Sequence, residues 1–190
     1  VIYVNFVQPI RDPYLIEQLE LYFKMRSQRN YLLFLIGIYT GLRISDILTL
    51  RVKDLKNKNY LVVSDKKTHK KKKNNKRTIE LHPALKKELK HYLIDKEDHE
   101  YVIKSRSGLN QAITRERAYM ILKAAADHFN IESLGCHSLR KTMGYHLYKK
   151  TKDIVLVKDA LNHSDTSYTL RYIGIQQDTV NDAITKLKYY

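Results

Sequence analysis

The chain has 190 residues, 43% of them hydrophobic, enough for one globular domain with a buried core. Thirty-five Lys and Arg against 20 Asp and Glu leave a formal net charge of +15, a balance that points to nucleic acid or a membrane surface as partner. The longest apolar run, YLLFLIGIY at 31–39, has nine residues and is too short to span a bilayer. No signal-peptide pattern opens the chain, and the one cysteine, Cys136, excludes an internal disulfide and a cysteine zinc site and fits a reducing cytosol.

In chain order, QPIRDPYLIEQLELYFKMR (8–26) reads as an amphipathic helix, with Asp12 as N-cap and Pro13 at its first position. Asn30 is the expected cap of a second helix, YLLFLIGIYTGLR, apolar nearly all round and therefore central, with Gly41 as its stop. Ser45 is the expected cap of a short helix, SDILTLRV. YLVVSDKK (60–67) and RTIEL (77–81) have strand character, so 60–81 reads as one long β-hairpin. Pro83 opens a helix over 83–95, YVIKSR (101–106) reads as a short strand before a loop at Gly108, and Thr114 caps the helical run to 129. SLRKTMGYHLYKK, DIVLVKDAL and TSYTLRYI follow as helical pieces, and TVNDAITKLKYY (179–190) closes the chain as an amphipathic segment. The fold class is mainly α with a small antiparallel β-sheet.

Four pieces call for a joint explanation. TGLRISDIL (40–48) puts Arg43 just past a helix end, and KKTHKKKKNNKR (66–77) loads the hairpin arm with eight Lys or Arg in twelve positions. HSLR (137–140) places His137 and Arg140 three apart on one helical face. LNHSDTSYTLRY (161–172) sets His163 nine residues before Tyr172. Singly, each has an ordinary explanation: a helix-end cation, a solvated basic hairpin, a capping histidine, one core tyrosine among fifteen. Together, two arginines, two histidines, a lysine and a tyrosine match attack on a phosphodiester.

These motifs, in this order and spacing, resemble the catalytic domain of the tyrosine recombinases, the phage integrase family, over the chain from about residue 10 to its end. Asn162 stands where that family usually has Gly, and Asn tolerates the left-handed conformation such a helix end takes. The resemblance implies the integrase catalytic-domain (DNA breaking–rejoining) fold and a site-specific recombinase that cuts and rejoins DNA through a 3′-phosphotyrosyl intermediate, from a phage or mobile element. It implies Tyr172 as nucleophile, His137 as general base, Arg43 and Arg140 as clamps on the phosphate, His163 as a further phosphate donor and Asp46 as a support near Arg43. The resemblance also implies a hairpin lysine that protonates the leaving 5′-oxygen: Lys67 is expected by its place before Thr68, with Lys66 and Lys70 as alternatives. The other cations of the run, Lys66, Lys70, Lys71, Lys72, Lys73, Lys76 and Arg77, are expected to hold DNA phosphates.

The same resemblance implies double-stranded DNA as partner, a homotetramer on synapsed DNA and a monomer free in solution, and it leaves room for an accessory DNA-bending protein. It implies neither cofactor nor metal, and the sequence has no Asp/Glu cluster of the two-metal kind, no Walker-type loop and no Cys/His zinc spacing. The expected location is the bacterial cytosol, at the nucleoid, with no membrane contact. Residues 1–190 read as one catalytic domain: 1–11 a linker or remnant of an N-terminal part, 179–190 a tail able to dock on a neighbouring protomer, and no room for an N-terminal core-binding domain. The rival readings are a type IB topoisomerase, which relaxes supercoils as a monomer, a truncated integrase that only binds DNA, and a basic RNA-binding protein. No aromatic RNA-binding motif supports the last of these.

Overall fold

The computed structural model describes residues 7–64, 76–175 and 184–187. Its first helix, α1 (Pro13–Arg26), starts where the sequence places it: the Asp12 carboxylate accepts from the Tyr14 N–H at 2.9 Å and Pro13 sits at the first position. The cap of α2 (Gln28–Thr40) is Ser27, not Asn30. Ser27 is extended, so its N–H closes α1 on the Phe23 carbonyl while its hydroxyl accepts from the Asn30 N–H, and one residue both ends a helix and begins the next. Asn30 lies inside the first turn, where Arg29 holds its side-chain oxygen at 2.9 and 3.1 Å.

Nine of the 13 residues of α2 are buried, from Tyr31 to Thr40, making it the axis of the main core. Each fully buried Leu, Ile or Phe contributes roughly 1.5–3 kcal/mol relative to exposure. Gly41 ends α2 at φ +63°, a left-handed turn that L side chains avoid.

The expected helix after Gly41 is instead two single turns, α3 (Ile44–Ile47) and α4 (Val52–Leu55). Arg43, rather than Ser45, stands at the N-cap of α3, its carbonyl accepting from Asp46 and Ile47. The break follows from Arg51, whose N–H donates to the Asp54 carboxylate at 2.8 Å and restarts the helix.

Strands β1 (Tyr60–Ser64) and β2 (Lys76–Glu80) pair antiparallel, from Tyr60 opposite Glu80 to Ser64 opposite Lys76. Helix α5 (Pro83–Leu93) buries Leu85, Leu89 and Leu93, a stripe of period four. The stretch 101–106 is no strand; it makes two isolated bridges, Tyr101 to Arg51 and Lys104 to Ala112. Helix α6 (Arg115–His128) is capped by Thr114, which accepts from Arg117 at 3.1 Å.

Three helices complete the described chain: α7 (Cys136–Thr151), α8 (Ile154–Ala160) and α9 (Thr166–Tyr172). Asp153 and Asp165 cap the last two. Helix α7 packs on α2 in the main core, whereas α8 and α9 close a smaller second core on its far side, built on Tyr145, Val157, Leu161, Ile173 and Ile175. Among the described residues, no helix is long and apolar enough to cross a membrane.

Candidate active site

Helix α7 begins two residues earlier than its polar pattern suggests, at Cys136, because Ser138 acts from inside the first turn. Its hydroxyl accepts from the Gly135 N–H and donates to the Ser133 carbonyl, both at 3.1 Å. The Ser of HSLR is therefore a cap, and it sets the rotation that turns Arg140 inward. Arg140 is 2% exposed. Its two terminal nitrogens donate to the carbonyls of Gly41 and Leu161. Gly41 is the C-cap of α2 and Leu161 that of α8, so the guanidinium sits where two helix C-termini converge. Carbonyls left unpaired at a helix end carry partial negative charge, which offsets part of the cost of burying a cation. Burial still lowers the Arg140 pKa to about 10, leaving the group charged at neutral pH. A guanidinium has five N–H donors; two serve these carbonyls, and the rest of the group interacts with the Tyr172 hydroxyl beside it.

Tyr172 ends α9 beside Arg140. Its ring meets the His163 ring edge to face, with centroids 4.9 Å apart and planes at 84°, and lies 5.8 Å from the Tyr168 ring. The Tyr172 hydroxyl is buried and makes no hydrogen bond of regular geometry among the described residues. Burial raises its pKa, while the neighbouring Arg140 pulls the other way by favouring the phenolate.

His163 follows Asn162, which adopts φ +49°, the left-handed turn that ends α8. The His163 N–H donates to the Lys158 carbonyl at 2.9 Å. Its Nδ1 lies 3.1 Å from the Thr169 hydroxyl, whose hydrogen is given to the Asp165 carbonyl at 2.7 Å. The hydroxyl can then only accept from His163, which puts the imidazole hydrogen on Nδ1 and leaves Nε2 as the free edge. Burial, then Arg140 and Arg43, push the His163 pKa down to about 4.

Arg43 is half-buried at the start of α3, and its charge acts on Arg140, His137, His163 and Tyr172 alike. His137 stands in the first turn of α7, one turn before Arg140; the outer edge of its ring is open to solvent, and partial desolvation of the rest, followed by the charges of Lys141 and Arg140, lowers its pKa, so the ring is neutral at pH 7. Asp46 offers its backbone, accepting from the Thr49 hydroxyl at 2.8 Å; its carboxylate makes no ion pair with Arg43 among the described residues. On β2, Arg77 donates to the Ala160 carbonyl at 2.8 Å, tying the hairpin to the end of α8, and Lys76 is exposed at the strand end. Lys66, Lys67, Lys70, Lys71, Lys72 and Lys73 lie outside the described residues.

The sequence motifs do not single out three further features. Lys141 is buried with its ammonium 5.1 Å from the centroid of the Tyr172 ring. Thr169 orients His163, a role that its place between His163 and Tyr172 could have suggested. A pocket of about 440 Å³ gathers Arg29, Arg106 and Arg117 with Ser105, Ser107 and Thr114. Among the described residues, no group of His, Cys, Asp or Glu is arranged to hold a metal ion. The site around Tyr172 is a cluster of cations facing one buried phenol.

The family model described as the phage integrase family matches residues 14–178. The chain is 44% identical over 180 residues to the probable integrase/recombinase YoeC of Bacillus subtilis, covering 95% of this chain and 96% of that protein. It is 31% identical over 168 residues to a tyrosine recombinase of Pseudothermotoga lettingae, covering 87% of this chain and 56% of that one. Among solved structures, the XerH recombinase bound to a palindromic difH substrate matches with a TM-score of 0.74 at 22% identity, over 95% of this chain and 53% of that chain. XerA recombinase matches with a TM-score of 0.75 at 17% identity, over 96% and 65%. The chain thus spans nearly all of its Bacillus relative but 56% of the Pseudothermotoga recombinase and 53% of XerH. A match over this length, with the mostly helical fold and its two-stranded sheet, decides the matter: the chain belongs to the phage integrase family, the tyrosine recombinases.

Proposed function

We propose that this domain cuts and rejoins double-stranded DNA, with Tyr172 as the nucleophile. The phenol oxygen attacks the scissile phosphorus, the bond from phosphorus to the 5′-oxygen breaks, and a 3′-phosphotyrosyl link remains. The phenol proton goes to the neutral His137, and the leaving 5′-oxygen takes a proton from a hairpin lysine, Lys67 by its sequence position. Arg140 and Arg43 hold the non-bridging oxygens as negative charge builds on them. His163, taking up a proton on Nε2 as the phosphate binds, donates to the same phosphate. A second 5′-hydroxyl attacks the phosphotyrosine in the reverse sense, so the link conserves the energy of the broken bond.

The observation that carries this reading is the buried Arg140 beside the Tyr172 hydroxyl, in a cationic cluster that an anion would neutralise. The basic hairpin run and the Arg29, Arg106 and Arg117 pocket would hold the flanking phosphates, on DNA in the bacterial cytosol. Assembly into a tetramer on synapsed DNA belongs to the same reading. The described end of the tail leaves Ile184 and Leu187 exposed, and an apolar groove of about 900 Å³ between α2, β2, α7 and α8 is of a size to receive such a segment from a neighbour.

The test is strand exchange between two differently labelled duplexes, run beside relaxation of a supercoiled plasmid. Exchange supports a recombinase. Relaxation without exchange would transfer the protein to the topoisomerase class, and salt-sensitive binding without either would make it a DNA-binding module.

A further inference from the structure

Before α1 begins, residues 7–11 run across α7. The Gln8 N–H donates to the Ser133 carbonyl at 3.2 Å, and Lys141 Nζ donates to the Val7 carbonyl at 2.8 Å. The Ile10 N–H donates to the Thr142 hydroxyl at 2.8 Å, and His146 Nε2 lies 2.8 Å from the Ile10 carbonyl. The Thr142 hydrogen goes to the Ser138 carbonyl at 2.7 Å, so its oxygen is turned to the strap as an acceptor. Lys141 and Thr142 are 8% and 2% exposed, and Ile10 is 4% exposed. Burying a lysine and a threonine side by side is costly unless both are bonded, and here both bond the strap.

Two links connect the strap to the segment that carries the candidate nucleophile. Lys141, which holds Val7, lies over the Tyr172 ring at 5.1 Å. Arg11, at the other end, donates to the Gly174 carbonyl at 3.4 Å, two residues past Tyr172, and lies 5.5 Å over the Tyr145 ring. Helix α9 packs on the smaller core, so fewer apolar contacts hold it than hold α2. Polar links to its end then weigh more in fixing where Tyr172 sits.

We infer that the strap 7–11 is a positioning element for Tyr172, acting through Lys141 on its ring and through Arg11 on the exit of α9. This rests on the reading of Tyr172 as nucleophile. Neither residue touches the reacting atoms; each fixes a segment that does. Displacing the strap, by substitution or by tension on the residues before Val7, moves the phenol relative to Arg140, and misplacement on the scale of 1 Å costs about a hundredfold in rate.

The test compares Arg11→Ala, Arg11→Lys and Lys141→Met with the parent by amide hydrogen exchange and by the rate of covalent adduct formation on a nicked DNA substrate at saturation. Arg11→Ala and Lys141→Met should speed exchange of the 170–174 amides severalfold while α2 stays protected. Adduct formation should slow roughly tenfold or more with DNA affinity unchanged, and Arg11→Lys should recover most of the rate. Unchanged exchange at 170–174, or adduct at the parental rate, overturns the inference. So does loss of protection in α2 as well, which would make these residues part of the general fold. If the parent itself forms no adduct, the reading of Tyr172 fails while the exchange measurement still decides whether the strap holds α9.

Discussion

Arg43 and Arg140 face the same site, but the structure gives them different second duties, and replacing each by Ala should separate catalysis from folding. Arg140 is 2% exposed and bonds the carbonyls that end α2 and α8. Hydrogen bonds from a charged donor are worth about 1.5–3 kcal/mol each, and a buried acceptor left unpaired costs about 1–3 kcal/mol. Relief of the buried charge, and of its repulsion by Arg43 and Arg77, returns part of this. The net loss for Arg140→Ala should be about 3 kcal/mol, which in a chain of this size lowers Tm by roughly 6–12 °C. Arg43 is half-buried and its side chain makes no hydrogen bond among the described residues, so Arg43→Ala should change stability by less than about 0.5 kcal/mol. Both should lose about a hundredfold or more in DNA cleavage. Thermal melting by circular dichroism checks the first pair of statements and single-turnover cleavage the second. An Arg140→Ala variant that melts within about 2 °C of the parent would refute the argument, because the two carbonyls would then not depend on the guanidinium.

Four further outcomes follow. A Cβ added at Gly144 would stand 2.7 Å from Ile173 Cγ2 and 2.9 Å from Leu161 Cδ1, so Gly144→Ala should push α8 and α9 off α7, cost about 1–3 kcal/mol and lower adduct formation, as melting and trapping would report. With its hydrogen on Nδ1, His163 can donate from Nε2 to a phosphate only as imidazolium; since it is neutral down to about pH 4 without DNA, binding at pH 6–7 should take up a proton, an uptake that calorimetry in buffers of different ionisation enthalpy would measure and that His163→Gln would remove. The same depressed pKa sets a stability window: the unfolded histidine binds a proton below about pH 6.5 while the folded one does not until about pH 4, so stability is full above the first value and falls as pH drops through the second, less steeply in His163→Gln. For the basic run, replacing Lys70 to Lys73 by Ala should flatten the dependence of log affinity on log salt, measured by fluorescence anisotropy; an unchanged slope would remove these lysines from the phosphate contacts.

Much of the framework is legible because its signals are local. Asp12 with Pro13, Gly41, Pro83 and Thr114 each mark a helix boundary by their own chemistry, and each does so in the structure. The motif residues are legible as well, since Arg43, His137, Arg140, His163 and Tyr172 fall within short contiguous runs. What escapes reading depends on partners distant in the chain. Ser27 serves two helices at once, and the run after Gly41 divides because Asp54 reaches back to the Arg51 amide. Helix α7 has no clear apolar face because Lys141, Thr142 and His146 turn inward to bond a strap that lies more than 130 positions earlier. A polar residue in a pattern is read as solvent-facing, and no spacing rule shows that its partner is a backbone carbonyl at the other end of the chain.

The central claim is that the Tyr172 oxygen forms the bond to DNA, and covalent trapping tests it most directly. The protein is incubated with nicked duplexes and denatured in SDS, beside Tyr172→Phe, and the adduct is digested and mapped. The account predicts an SDS-resistant adduct in the parent, DNA on a 3′-phosphate at Tyr172, and none in the Phe variant. An adduct that persists in Tyr172→Phe, or that maps to another of the fifteen tyrosines, would contradict it.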